Sequence, residues 1–252
     1  MTISVEGDSA DFLDQVRSGL PHGSVVVNDE PAEVHYEATT TTEGLHLTID
    51  GWQLRATPDL DGLLGAIDFS IGKRAHDHVF VHAGVAAWNN LAVVVPGRSR
   101  AGKTSIVRAL VEAGALYLSD EYAAIDERGL VHPYPRPLGV RQPDGTSRRI
   151  SVETLGGVAA TEPLPVALVL ATRYHPGAEW TPQRDSRASG LLALLDNTLS
   201  VRKHPRRTLA FLGKAVADAM VLKGVRGDAD TIAPKVIETV EEFALTNKRS
   251  RS

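Results

Sequence analysis

Apolar and polar positions change their period several times along the chain, and the changes predict an order of elements. Between residues 24 and 57 the short runs SVVVND, AEVHYEATTT, LHLTID and WQLRAT, separated by Asn, Asp, Pro and Gly, predict four strands of a small antiparallel start. Leu60, Leu63, Leu64, Ile67 and Ile71 then recur at helical spacing. The runs VFVHAGVAAW and LAVVV predict two strands joined by Asn89-Asn90, a two-residue hairpin turn because Asn tolerates positive φ. Ile106, Val107, Leu110 and Val111 make one helical face, closed by Gly114. ALYLSDEYAAID, GLVHPYPRPLGVR and VALVLAT predict further strands, and the Pro-rich, basic run over residues 133–149 predicts a loop. Beyond it SGLLALLDNTL, PRRTLAFLGKAVADAMVL and DTIAPKVIETVEEFAL read as helices, with Gly224 and Gly227 marking a break. The organisation expected is a β-rich addition over residues 1–77, a mixed α/β unit over 78–246, and a polar, frayed tail over 247–252.

A chain of 252 residues can bury one sizeable core, and a net charge of −4 gives no overall basic surface for nucleic acid. The absence of cysteine removes disulfides, thiolate catalysis and Cys-ligated metal centres together. No apolar stretch approaches the roughly 20 residues that span a bilayer, and MTISVEGDSADF has none of the regions of a signal peptide. The expectation is a cytoplasmic protein, with no membrane partner, that acts on small molecules or on a protein. Assembly into a homo-oligomer stays open.

The segment VVVPGRSRAGKTS carries the clearest chemistry. An apolar strand feeds Gly-x-x-x-x-Gly-Lys-Thr, and a helical pattern follows. That order predicts a phosphate-binding P-loop formed by Gly97, Arg98, Ser99, Arg100, Ala101, Gly102, Lys103, Thr104 and Ser105. The glycines let successive main-chain N–H groups turn inward, and the helix adds its positive end. Lys103 is expected to reach the terminal phosphates, and the Thr104 hydroxyl to ligate Mg²⁺.

Two further features lie at suggestive distances. Asp120-Glu121 follows the apolar strand ALYL, so an acid emerges at a strand end near the phosphate loop. There it can hold Mg²⁺ as a Walker-B Asp does, or accept the proton of an attacking hydroxyl. Asp-Glu after a strand is also a common solvated turn. His82 lies in VFVHAGVAA, with Ala83 and Gly84 leaving room beside it. A strand His, a hairpin, this Gly-Lys-Thr loop, a helix closed by Gly and a strand ending in Asp-Glu together resemble the catalytic domain of HPr serine kinase/phosphorylase and HPr-kinase-related proteins. The resemblance runs over residues 78–230 and includes PYPRPLGV, LVLATRYHPG and LLALLDNT.

The resemblance implies an α/β fold of the phosphoenolpyruvate-carboxykinase-like P-loop kinase class, with a mixed sheet and the small N-terminal β addition. It implies transfer of the ATP γ-phosphate to a serine-type hydroxyl. Residues 97–105 then bind nucleotide, Thr104 with Asp120 or Glu121 serves Mg²⁺, and His82 and Lys103 join Asp120 as catalytic residues, Asp120 taking the hydroxyl proton. The family's second Asp is Glu121 here, which leaves the division of metal and base duties open. The Glu-x-Arg-Gly-x-Gly-Ile segment of the phosphorylase half is absent, which argues against reversal and against HPr as acceptor. Related kinases act on other targets, including lasso-peptide precursors. Arg136, Arg141 and Arg173 are candidates for further phosphate or acceptor contacts. A small-molecule hydroxyl kinase and an ATPase or ATP-binding regulatory module share the same site. The guanine-reading Asn-Lys-x-Asp segment is missing.

Overall fold

The computed structural model describes every residue except 43, 55–58, 99–100, 142–146, 200 and 251–252, and for 141, 147 and 247–250 the backbone alone. The chain divides into two compact units, Met1–His76 and Asp77–Ser252. Six α-helices and fourteen strands lie among the described residues, and none of those helices is long and apolar enough to cross a membrane.

In the first unit the strands β1 (Ile3–Gly7), β2 (Val34–Thr41), β3 (Gly44–Ile49) and β4 (Trp52–Gln53) form a sheet in that order. Alternation in β2 buries Val34, Tyr36 and Ala38 on one face, where they meet Leu45, Leu47 and the helices α1 (Ala10–Gly19) and α2 (Leu60–Arg74) through Val16, Leu63, Leu64 and Ile67. Two expectations fail here. SVVVND is not a strand, and Val25 and Val26 are 78% and 65% exposed. Three consecutive valines offer no alternating face, and both edges of β2 are taken, by β3 and by β1. The start is also not wholly antiparallel, because β1 pairs with β2 in parallel. Of WQLRAT only Trp52–Gln53 is strand, and residues 55–57 lie outside the described residues.

The second unit is built on β5 (His78–Trp88) and β6 (Leu91–Pro96), an antiparallel hairpin whose turn residues Asn89 and Asn90 take φ of 51° and 59°. Helix α3 (Lys103–Glu112) follows, then β7 (Leu116–Ser119), β8 (Tyr122–Asp126) and β9 (Leu130–His132). The long strand β12 (Leu164–Tyr174) runs parallel to β6 and to β14 (Met220–Arg226), while β13 (Gln183–Asp185) edges the sheet beside β14. At its start β12 also pairs with β9, which closes the ring β12-β6-β5-β8-β9. Helices α4 (Arg187–Leu195) and α5 (Pro205–Val216) cover one face through Leu194, Leu212, Ala215 and Val216. The other face is covered by α3 and α6 (Ala229–Ser250) through Ile106, Leu110, Ile232, Val236 and Val240.

Three readings of this unit change. The expected loop over residues 133–149 contains part of a hairpin, β10 (Leu138–Arg141) with β11 (Ser147–Ile150). The helix expected through residue 222 stops at Val216, and 220–226 are β14. Val221 and Leu222 enter the cores on opposite faces of the sheet, so a strand covered on both sides reads as a continuous apolar run with no period to betray it. Gly224 therefore lies inside a strand. Finally, α6 continues to Ser250, into the segment read as a frayed tail.

Candidate active site

Alternation along β5 decides what faces the phosphate loop. Val79, Val81, Ala83, Val85 and Ala87 point into the core under α4 and α5; Ala86, and with it the even positions His82 and Gly84, belong to the side of α3. A Cβ on Gly84 would lie 2.7 Å from Val107 Cγ2 and 3.3 Å from Lys103 Cβ. The missing side chain at Gly84 therefore lets the first turn of α3 settle on β5, beside His82. Ala83, expected to leave room there, faces the other side.

The loop enters from β6 with the Gly97 N–H donating to the His82 carbonyl at 3.2 Å, which prolongs the β5–β6 ladder by one residue pair. A Cβ on Gly97 would stand 2.9 Å from Ala101 Cβ, so glycine is required by the narrowness of the loop; its φ is not positive. Gly102 ends the loop with φ 83° and ψ 23°, in the left-handed region, and caps α3 without a side chain. No acidic residue lies in the first turn, so the positive end of α3 has no carboxylate of its own there. Arg98 is described and exposed, as is Ser105; Ser99 and Arg100 lie outside the described residues.

Lys103 is 6% exposed. Its ammonium contacts His82 Nε2 at 3.1 Å and donates to the Arg98 carbonyl at 3.3 Å. Burial holds its pKa below the ordinary lysine range, and the charges of Glu121 and Asp120 oppose that shift.

Asp120 and Glu121, at the turn from β7 to β8, part in opposite directions. Asp120 is 2% exposed. Its Oδ2 accepts from Thr104 Oγ1 at 3.1 Å and from the Gly139 N–H at 3.4 Å, and its Oδ1 accepts from the Tyr117 hydroxyl at 3.1 Å. Burial raises its pKa to about 6, helped by the Glu121 charge and opposed by the three hydrogen bonds. The Glu121 side chain is 48% exposed, and its Oε2 lies 3.0 Å from His82 Nε2. Burial works against its ionisation, but the His82 hydrogen bond and the Lys103 charge outweigh it and hold its pKa below the ordinary range.

One ring nitrogen thus faces two claimants. His82 Nε2 can donate a proton to Glu121 or accept one from Lys103, but it cannot do both at once. Glu121, His82 and Lys103 therefore share a proton position at the mouth of the loop. Tyr122 stands beside His82 with ring centroids 5.6 Å apart, and Tyr134 and Phe80 continue this aromatic wall.

All the described members of the expected site thus gather at one end of the sheet. Arg136 is buried, and its carbonyl lies 2.8 Å from the Tyr117 hydroxyl, whose single proton is shared between it and Asp120 Oδ1. Arg173 is exposed near the end of β12, and the Arg141 side chain lies outside the described residues. Two side chains that contact the candidate site were not singled out from the sequence. Tyr117 orients Asp120, and a tyrosine three residues before the acid in an otherwise apolar strand was the available signal. Arg226, at the end of β14, donates to the Gly102 carbonyl at 3.0 Å; nothing local in the sequence distinguished it.

No family model matches the chain, and no curated protein matches it. Among solved structures it is similar to the Hpr(Ser) kinase/phosphatase from Coxiella burnetii, with 13% identity over 67% of this chain and 98% of that one and a TM-score of 0.39.

Proposed function

We propose that this protein is an ATP- and Mg²⁺-dependent kinase that transfers the γ-phosphate to a serine-type hydroxyl of a peptide or protein. The observation that carries the reading is the 3.1 Å bond from Thr104 Oγ1 to Asp120, one residue beyond a buried lysine at the mouth of a glycine loop. Hydroxyl and carboxylate side by side are the donor set that a Mg²⁺ ion takes alongside phosphate oxygens and water. Among the described residues no cluster of three or more His, Asp or Glu is arranged to hold a metal alone, so the phosphates are needed to complete the set. Bound there, Mg²⁺ neutralises charge on the transferred group.

Burial divides the acids. Asp120 is enclosed and committed to Thr104, Tyr117 and Gly139, which suits the metal. Glu121 is open to an acceptor and backed by His82. In this reading the acceptor hydroxyl gives its proton to the Glu121 carboxylate, and its oxygen bonds to the γ-phosphorus as the bond to the bridging oxygen breaks. Lys103 and the first-turn N–H groups of α3 stabilise the negative charge left on the departing diphosphate. In this reading the base role that the resemblance gives to Asp120 moves to Glu121, the more open of the two carboxylates.

Incubation with γ-labelled ATP, Mg²⁺ and separate peptide, protein and metabolite pools tests the reading. Label on serine of a peptide or protein supports it. Label on a metabolite identifies a small-molecule kinase, and free phosphate alone identifies an ATPase. A Lys103→Ala variant that keeps the parent rate overturns the site altogether.

A further inference from the structure

The largest fully buried side chain in the second unit is a cation. Arg226 ends β14 with 2% exposure, and among the described residues no carboxylate stands within ion-pair distance of its guanidinium. Its Nη1 donates to the Gly227 carbonyl at 2.9 Å and its Nη2 to the Gly102 carbonyl at 3.0 Å, while its Nε is buried with no partner. The guanidinium carbon lies 5.2 Å from the centre of the Tyr174 ring. Burial depresses its pKa, and the charge of Asp228 and the Tyr174 hydroxyl only partly oppose that.

Three costs coincide at this residue. A buried guanidinium without a paired anion is expensive. It is set at the positive end of α3, where cations are disfavoured. A second buried cation, Lys103, follows Gly102 directly. A polyanion in the loop removes all three costs at once. The contact also has a geometric consequence. The Gly102 carbonyl and the Lys103 N–H belong to one planar trans peptide and point oppositely, so a carbonyl held by Arg226, and by Ile106 N–H at 3.2 Å, aims the Lys103 N–H away from them, into the loop. Gly102 must be glycine for this contact, because its φ is 83° and a Cβ there would collide with the Arg226 guanidinium.

We infer that Arg226 is a positioning residue of the phosphate site, which fixes the Gly102–Lys103 peptide from behind and adds its charge to the field that holds a nucleoside polyphosphate. The inference rests on the nucleotide reading above. It assigns to β14 a part in the site that the Gly-x-x-x-x-Gly-Lys-Thr loop does not contain.

Calorimetric titration with ATP and with inorganic tripolyphosphate, alongside melting of the ligand-free protein, tests it. Arg226→Met keeps an unbranched side chain of similar reach and removes the charge. Affinity for both ligands should fall by about tenfold to a hundredfold, the worth of one charge-assisted hydrogen bond, while the ligand-free melting temperature stays within a few degrees of the parent. A lowered melting temperature with unchanged affinities makes Arg226 a structural residue only and overturns the inference. If Arg226→Met does not fold, Arg226→Lys and Arg226→Gln decide: the lysine variant, which keeps the charge, should lose clearly less affinity than the glutamine variant, which loses about tenfold or more. Equal losses in the two overturn the inference. A parent that binds neither ligand refutes the nucleotide reading itself, whereas a parent that binds ATP no better than the Met variant refutes only the role of Arg226.

Discussion

Replacing Asp120 by asparagine should stabilise the ligand-free protein near neutral pH and do so less and less as the pH falls. The carboxyl titrates from an ordinary value of 3.8 in the unfolded chain to about 6 in the folded one. Between those values the folded protein holds a proton that the unfolded chain has released, so this group makes stability fall as the pH rises. The displacement is about 2 pH units, worth about 3 kcal/mol at 1.36 kcal/mol per unit. The side chain is 2% exposed, so solvent screening takes little from that figure. Asparagine removes the titration and still accepts from Thr104 or Tyr117. Its amide group faces the Gly139 N–H or the Thr104 hydroxyl less well, and the loss is about 1 kcal/mol at every pH. Urea denaturation of parent and variant in metal-free buffer at pH 4 and pH 7.5 reads the effect. The stability difference, variant minus parent, should rise by about 2.5 kcal/mol between the two pH values, from slightly negative to clearly positive, because at pH 4 the unfolded carboxyl is already more than half ionised. A difference independent of pH refutes the claim that Asp120 is buried as a strained carboxylate. Phosphoryl transfer should be lost at both pH values.

Substitutions at three other positions probe separate links. Gly102→Ala forces a side chain into φ 83° and against Arg226, and should cost about 2 kcal/mol in urea denaturation together with measurable ATP binding; retained affinity speaks against the geometry given to the loop's end. Glu121→Gln should lower kcat about a hundredfold with the KM for ATP within about threefold, as removal of a general base does; an undiminished kcat returns the base to another residue. Asn90→Val places a β-branched residue at φ 59° in the hairpin turn and should lower stability by about 1 to 2 kcal/mol, whereas Asn90→Gly should be tolerated; both are read by thermal melting.

What the sequence revealed was set by how local each signal is. The β5–β6 hairpin, the loop and α3 are contiguous, so turn chemistry at Asn89-Asn90, glycine spacing and a 3.6-residue period were all visible within some thirty residues. Asp120 and Glu121 could be seen as acids at a strand end, but their burial could not. Which one is enclosed depends on Thr104 and Gly139 arriving from α3 and β10 to meet Tyr117 of the strand just before the acids. The first seventy-seven residues were read too simply. β1 is five residues long with only partial burial, and its partner β2 lies nearly thirty residues onward, so no short window held the pair.

Arg226 marks the limit most clearly, and the reason is topological. β14 is parallel to β12, and parallel neighbours must be joined by a crossover, here one that carries β13, α4 and α5. A strand reached that way has both faces covered, so MVL ran on from α5 with no change of pattern, and Arg226 fell inside the break marked by Gly224 and Gly227. The same parallel arrangement sends the ends of β6, β12 and β14 to one edge of the sheet, where Gly97, Arg173 and Arg226 emerge. A loop fed by an antiparallel hairpin thus gains a cation from 124 residues further along the chain. The part of the site contributed by the hairpin could be read from its motif, and the part contributed by strand order could not.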